Sequence, residues 1–349
     1  MTKVFVGMSG GVDSSLTAAL LKEQGYDVTG VYMKNWTQDL PGMKCPWADD
    51  LADAKRVAVQ LGIDFVVFDF ETEYRHKVVD YMIEEYTRGR TPNPDIMCNQ
   101  EVKFKLFLEA ALEAGADMIA TGHYARVENG QLQMAHDANK DQTYFLYRVT
   151  RQALEKTLFP LGEYDKPTVR QMAKDRGLYT AGKKDSQGIC FVGQIGIREF
   201  LSEYVQQEAG SIIDTRSGKV LGQHDGAIFY TIGQRHGLDV GGGLPYYVVG
   251  KDMEKNEVYV TTDLNDGALW PSQVSLADVH WINKTPTPGT YQVRVRHRAA
   301  LTAAQLTLEG DTAQLAFEHP ERAVTAGQSI VIYDGVVCLG GGIVQSTKA

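Results

Sequence analysis

One short string constrains this chain more than any other feature. Ser9-Gly10-Gly11-Val12-Asp13-Ser14 lies between an apolar run at residues 3–8 and a helical pattern at 14–24, in which Leu16, Ala19 and Leu20 share a face. Successive small residues let neighbouring backbone N–H groups turn inward, and the N-terminus of the following helix adds partial positive charge. A loop of this kind is built to hold phosphate. Ser9 and Ser14 bring two further hydroxyl donors. The string is not a Walker A loop: the nearest approach to that pattern, Ser217-Gly218-Lys219-Val220, lacks the hydroxyl after the lysine. A bare Gly-Gly reads equally as a tight turn with Asp13 capping a helix; the full string directly after a strand selects the phosphate reading.

The flanking pattern sets the fold class. Apolar runs at 28–33, 65–70 and 117–121 alternate with helical stripes formed by Leu51, Ala54, Val57, Ala58 and Leu61 and by Tyr74, Val78, Tyr81 and Met82, with a further helix at 103–114. Such alternation predicts an α/β domain with a mostly parallel sheet, whose ligands bind at the carboxyl ends of the strands. Residues 166–207 read as helical, including 167–177 and 197–207. Beyond about residue 208, Gly-rich turns separate Val/Ile/Thr/Tyr runs at 227–232, 246–249, 257–261, 292–296 and 329–333, an all-β pattern broken by a turn-rich tract at 285–289. The expected organisation is an α/β domain over 1–207, a small β-rich module over 208–273 and a C-terminal β-barrel-like domain over 274–349.

Composition narrows the function classes. The 349 residues carry 35 Lys+Arg against 44 Asp+Glu, a net charge of −9, which speaks against unspecific nucleic-acid binding and leaves room for a specific RNA site with a local basic patch. An apolar fraction of 43% with 23% charged residues excludes a disordered chain. No apolar run approaches the ~18 residues of a membrane span, and the first seven residues lack the pattern of a signal peptide. A cytoplasmic protein without a membrane partner is expected. Cys45, Cys98, Cys190 and Cys338 stand far apart with no C-x-x-C pair, which disfavours a disulfide scaffold and a cysteine zinc cluster. No metal site built from cysteines is expected.

Two of the cysteines sit in chemically suggestive surroundings. Cys98 follows Thr91-Pro92-Asn93-Pro94-Asp95-Ile96-Met97, where two prolines stiffen the approach, and is expected to open the helix carrying Lys103 and Lys105. A thiol at a helix start near cations has a lowered pKa, and Asp95 is placed to act as an acid or base. A buried structural cysteine fits the segment almost as well. Cys190 lies in Gly182-Lys183-Lys184-Asp185-Ser186-Gln187-Gly188-Ile189-Cys190-Phe191, an electropositive, Gly-flanked loop that suits an accessible thiolate or a cysteine packed beside Phe191. Cys45, in a loop after the second strand, and Cys338, in an apolar run, read as structural.

The loop and both cysteine segments, with Thr121–Tyr124 and 231–237, resemble from end to end the bacterial tRNA-specific 2-thiouridylases, a family within the ATP-pyrophosphatase superfamily. The resemblance implies an ATP-dependent exchange of O2 of the wobble uridine for sulfur. It implies that Gly7, Met8, Ser9, Gly10, Gly11, Val12, Asp13, Ser14, Met33 and Gly122 hold ATP, with Mg²⁺ near Asp13. It further implies that Asp95, Cys98 and Cys190 are catalytic, and that Asn93, Pro94 and Asp95 lie against the target base. His123, Lys140, Asp141, Gln142, Arg296, His297 and Gln328 are implied to touch tRNA. A persulfide from a cysteine desulfurase or sulfur-relay protein would reach Cys190, and a Cys98–Cys190 disulfide would form in one variant of the chemistry. The chain departs from the family in having histidine at 297, where tyrosine is usual, and at 236, where lysine is common. By residue pattern alone, Arg294, Arg296 and Arg298 fall on one face of a strand, as a phosphate stripe or a solvated face. His123 also fits a hydrogen-bonded strand-end histidine, and Gln328 beside Gly327 fits a simple turn. An ATP-pyrophosphatase ligase or amidotransferase acting on a small molecule is the competing reading; it leaves both cysteine segments and the β tail without a task.

Overall fold

The computed structural model describes residues 1–39, 45–184, 196–241 and 243–349. Its first sheet is built from β1 (Lys3–Gly7), β2 (Asp27–Lys34), β3 (Asp64–Asp69), β4 (Met118–Ala120) and, after a short hairpin of β5 (Arg126–Glu128) and β6 (Gln131–Gln133), β7 (Thr157–Leu158). The order is β3-β2-β1-β4-β7 and every pairing is parallel. Val4, Phe5 and Val6 of the central β1 are buried, as expected of a strand covered on both faces. Helix α1 (Val12–Glu23) follows β1 directly. Helix α2 (Trp47–Leu61) buries Ala54, Val57 and Ala58 and stops at Gly62, which adopts φ +59 as a left-handed cap.

The second sheet contains β8 (Gly210–Asp214), β9 (Val220–His224), β10 (Tyr247–Asp252) and β11 (Glu257–Thr261) in the order β10-β11-β8-β9. The run at 227–232 does not form the strand its composition suggests. Ala227–Phe229 is a 3₁₀ turn, because Gly226 stands at φ +144 and the Ala227 N–H donates to the Asn256 side-chain oxygen at 2.8 Å. Its apolar residues Ala227 and Ile228 are nevertheless buried.

Six antiparallel strands then close a barrel: β12 (Gln273–Trp281), β13 (Gly289–Arg294), β14 (Thr302–Glu309), β15 (Thr312–Phe317), β16 (Ser329–Asp334) and β17 (Val337–Lys348) run in the order β12-β15-β14-β13-β16-β17, and β17 pairs back onto β12. The hairpin β5–β6 extends this sheet from β17, with Cys338 opposite Leu132. The α/β part and the barrel therefore share a sheet, and they share a core in which Val331, Tyr333 and Cys338 pack in one cluster with Cys98. Cys338 is fully buried and burial pushes its thiol far above the usual range, in keeping with the structural reading. Cys45 is also buried, with its Sγ donating to the Trp36 carbonyl at 3.6 Å.

The second sheet leans on the α/β part at Gly89, where an added Cβ would meet Met253 Cγ at 2.7 Å. Beside it, the Lys251 ammonium donates to the Tyr230 carbonyl at 2.8 Å, and burial lowers its pKa to about 8. An unfolded lysine titrates near ~10.4. Between those values the unfolded chain binds more protons, so folding stability rises with pH. In denaturant titrations the stability of the parent relative to Lys251→Met should grow across that window, by up to about 3 kcal/mol. A difference that stays flat with pH would mean that the ammonium is solvated.

Candidate nucleotide and thiol site

The loop after β1 has the form a phosphate site requires. Gly11 is the N-cap of α1 and has no side chain to cap it, so no N-cap side chain occupies the first-turn N–H groups that an anion would meet. Ser14 Oγ accepts from the Ser9 N–H at 3.2 Å and donates to the Gly11 carbonyl, and Ser15 Oγ donates to the same carbonyl at 2.7 Å. Gly10 stands at φ +72, and a Cβ there would lie 2.4 Å from the Asp50 carbonyl oxygen; no other residue fits. Met8 and Val12 turn their side chains into the core and leave the loop its backbone. Met33 covers Gly7, its Cε 3.0 Å from where a Cβ would stand. A Cβ on Gly122, just beyond β4, would sit 2.8 Å from the Ser14 nitrogen. Gly7 through Ser14, Met33 and Gly122 thus meet at the carboxyl edge of the parallel sheet.

Asp13 carries an arrangement that sequence reasoning missed. Its carboxylate accepts from Lys166 Nζ at 2.7 and 2.8 Å and from the Tyr124 hydroxyl at 2.9 Å. Lys166 is buried and its ammonium lies 5.7 Å from the Tyr124 ring centroid. A signal was present: Lys166 begins the helix Lys166–Asp175, capped by Asp165, and a cation at a helix N-terminus opposes the dipole. A lysine in that place has its use elsewhere.

The helix bearing Cys98 starts earlier than expected. Asn93 caps it, accepting from the Asp95 and Ile96 N–H groups at 3.1 and 3.4 Å, and Pro94 takes the first position. The chain continues through Pro94–Met97 into a π-helical stretch, Cys98–Leu106, and then Phe107–Glu113. Cys98 is therefore one turn inside the helix, only 1% exposed, and its own N–H is spent on carbonyls at 94 and 95. The nearby cation Lys105 is engaged by Glu101 at 3.2 Å, as is Lys77 at 2.9 Å. The approach to this helix is gripped from both β regions: the Thr91 N–H donates to the Ala326 carbonyl at 2.8 Å, and the Thr91 and Thr231 hydroxyls are 3.2 Å apart.

His123 joins the two halves of the site. It is buried, its Nδ1 is 2.8 Å from the Thr121 hydroxyl, and its ring lies 5.5 Å from Phe104 on the Cys98 helix and 6.2 Å from Phe159. Burial, with the nearby Lys103 charge, holds its pKa well below the ordinary histidine value. Cys190, with the rest of 185–191, lies outside the described residues. Just upstream, Lys183 Nζ pairs with Asp50 and Asp53 of α2 at 2.7 and 2.8 Å, beside the Asp50 carbonyl that abuts Gly10.

Of the residues implied to meet RNA, several turn inward. The Asp141 carboxylate is buried and accepts from Arg294 Nη1 at 2.7 Å, the Thr143 hydroxyl at 2.7 Å and the Ala135 N–H at 3.0 Å. The Gln142 side-chain oxygen accepts from the Tyr124 N–H at 2.9 Å, and the Lys140 N–H donates to the Asp137 carbonyl. The arginine stripe does not form. Strand β13 ends at Arg294, which is buried on Asp141, whereas Arg298 stands at φ +62 beyond the strand, so the period-two alternation is lost. Arg296 is exposed. His297 is half-buried with its ring 4.4 Å from Phe145; burial and the Arg298 and Arg294 charges lower its pKa to about 4, so it is neutral at pH 7. Gln328 is in a turn after Gly327, whose missing Cβ lets it approach the Thr91 nitrogen.

Among the described residues no three potential ligands cluster as a metal site, and no helix is long and apolar enough to cross a membrane. Three family profiles tile the chain: a tRNA methyl transferase HUP domain at residues 2–194, a tRNA methyl transferase PRC-barrel domain at 198–262 and an aminomethyltransferase beta-barrel domain at 272–344. The tRNA-specific 2-thiouridylase MnmA of Alkaliphilus oremlandii (strain OhILAs) is 47% identical over 354 residues, covering 99% of this chain and 97% of that protein. The protein of the same description from Bacillus subtilis (strain 168) is 47% identical, covering 99% and 95%. Among solved structures, the U34-tRNA thiolase NcsA from Methanococcus maripaludis aligns at 19% identity with a TM-score of 0.37, over 58% of this chain and 62% of that one, a likeness too slight to argue from.

Proposed function

Since the chain belongs to the tRNA-specific 2-thiouridylase family, we propose that it exchanges O2 of the wobble uridine of tRNA for sulfur, with ATP split to AMP and pyrophosphate. The observation that carries this reading is the junction at 121–123. Gly122 lies against the phosphate loop, and the next residue, His123, packs its ring against Phe104 on the helix of Cys98. That adjacency supports a nucleotide and a thiol working at one edge of the sheet. The profile descriptions speak of methyl transfer, but a loop shaped for phosphates serves adenylation, and the full-length relatives are called thiouridylases.

A uracil C2 oxygen leaves poorly, so it must first be activated. In the proposed sequence, O2 attacks the α-phosphorus of ATP, pyrophosphate departs, and the N3 proton passes to Asp95. The loop from Gly7 to Ser14 holds the phosphates, with Met33 and Gly122 beside the nucleoside. Lys166 balances the Asp13 charge and adds a cation next to the phosphates. Asp13, a hard oxygen donor at the mouth of the loop, would hold Mg²⁺, and the ion would neutralise charge on the triphosphate. The terminal sulfur of a Cys190 persulfide, loaded by a cysteine desulfurase or relay protein, then bonds to C2 as AMP leaves. Cys98 attacks the Cys190 sulfur, the persulfide S–S bond breaks toward C2, Asp95 returns the proton to N3, and a Cys98–Cys190 disulfide is left for an external thiol to reduce. Asn93 shapes this site by capping the helix, and Pro94 fixes its first turn. Arg296, exposed, and the neutral, half-buried ring of His297 are the candidates for the tRNA backbone and a base, with Lys140 and Gln328 as further candidates. A flipped-out uridine fits such an enclosed centre.

The test is nucleoside mass spectrometry on unmodified tRNA incubated with protein, ATP, Mg²⁺ and a persulfide donor. An oxygen-to-sulfur mass gain at the wobble uridine is expected, absent in Cys98→Ala and Cys190→Ala with the persulfide donor, and free sulfide, which needs no persulfide, should restore Cys190→Ala. Pyrophosphate release driven by small amines or acids, with tRNA left unmodified, would transfer the chain to the ligase reading.

A further inference from the structure

Beyond the residues that meet nucleotide or sulfur, we infer that Arg148 is a positioning residue that couples the barrel to the helix carrying Cys98, so that tRNA seated on the barrel sets the alignment of the thiol. This rests on the thiouridylase reading above. Arg148 is only 9% exposed. Its guanidinium reaches two regions at once. Nε donates to the Gln100 side-chain oxygen, two residues beyond Cys98 in the π-helical stretch. Nη1 donates to the Asp278 carbonyl at 2.8 Å, and Nη2 pairs with the Asp278 carboxylate at 2.9 Å.

Both ends of this link are unusual backbone. The π-helical stretch gives up the ordinary i to i−4 ladder directly after Cys98, a geometry that concentrates at functional sites. Asp278 stands at φ +48 where β12 slips register against β17, a left-handed conformation that a non-glycine residue keeps only when its surroundings hold it. A third contact joins the same joint to the barrel mouth. Arg148 lies over the ring of Tyr147 at 5.8 Å, and the Tyr147 hydroxyl is 3.0 Å from the Ser329 hydroxyl, next to Gln328. A planar fork with fixed donor directions transmits a displacement of Asp278 to Gln100; a flexible ammonium would absorb it.

The inference is tested with Arg148→Met, Arg148→Lys, Gln100→Ala and Asp278→Ala, reading kcat and the KM for tRNA separately in the thiolation assay, with a thermal melt of each protein. Arg148→Met should lose about 10- to 100-fold in kcat, the scale of an approximately 1 Å misplacement at a reacting centre. Its KM for tRNA should stay within about threefold of the parent's, and Arg148→Lys should recover little. Because Gln100→Ala removes one end of the chain of contacts and Asp278→Ala the carboxylate at the other, leaving only the carbonyl contact there, the double variant should lose little more kcat than the worse single one; independent sites would add. A kcat within about twofold of the parent in folded Arg148→Met overturns the inference. So do additive losses, or kcat and KM that move together with the melting midpoint, which mark a simple staple. Absence of thiolation by the parent protein would instead remove the functional reading itself.

Discussion

Replacing Lys166 by methionine should slow tRNA-dependent pyrophosphate release on the order of 10²- to 10³-fold, the range seen when one preorganised donor to a developing charge is removed. The argument starts from Asp13, whose carboxylate takes two short contacts from Lys166 and one from Tyr124 at the mouth of the phosphate loop. Without the ammonium, a partly buried carboxylate faces the incoming phosphates with its charge uncompensated, and both nucleotide affinity and turnover suffer. The two effects separate in steady-state kinetics: the KM for ATP should rise and kcat should fall. Asp13→Asn in the same background removes the like-charge repulsion and should recover part of the KM while leaving kcat low. An unchanged ATP dependence in a folded Lys166→Met protein would reduce the lysine to an anchor for its helix.

What the sequence makes legible follows from how far apart the interacting residues lie. The phosphate loop is read directly, because strand, glycines and helix start are contiguous and each residue has a local backbone task. Strands β1 to β4 are likewise legible as apolar runs, the first three each followed by a helix, whereas β7 has only two residues and shows no pattern. The Lys166–Asp13 pair spans 153 positions, and only the awkward charge at a helix start hints at it. Strands β5 and β6 have three residues each, too few to show alternation, so their addition to the barrel sheet is invisible until the register is seen. The start of the Cys98 helix was legible in Asn93-Pro94, an N-cap followed by proline at the first position, yet the thiol drew the boundary to itself. The arginine stripe failed for a different reason: period-two reasoning holds only while a strand lasts, and β13 ends at its first arginine.

Asp141 is the position where tRNA contact and structure make opposite forecasts. Its side chain is 1% exposed and that of Arg294 is 8% exposed, at a distance of 2.7 Å, joining the α/β part to β13 of the barrel. Asp141→Ala leaves the guanidinium buried without its counter-charge and also removes the acceptor used by Thr143 and the Ala135 N–H. Losing one partner of a buried pair costs about 3–5 kcal/mol, so the variant should unfold at distinctly lower denaturant concentration. Removing both charges with Asp141→Leu and Arg294→Met should recover the part owed to the unpaired guanidinium, because apolar groups replace a buried pair at little net cost, while the Ala135 N–H and Thr143 hydroxyl stay without their acceptor. The double variant should then bind tRNA nearly as the parent does, which filter binding at fixed salt can measure. If Asp141→Ala keeps its stability and instead loses tRNA affinity, the carboxylate serves the RNA and the inward geometry is not what matters. The buried geometry favours the first outcome, because a carboxylate holding Arg294, Thr143 and Ala135 together has little acceptor capacity left to offer a nucleotide.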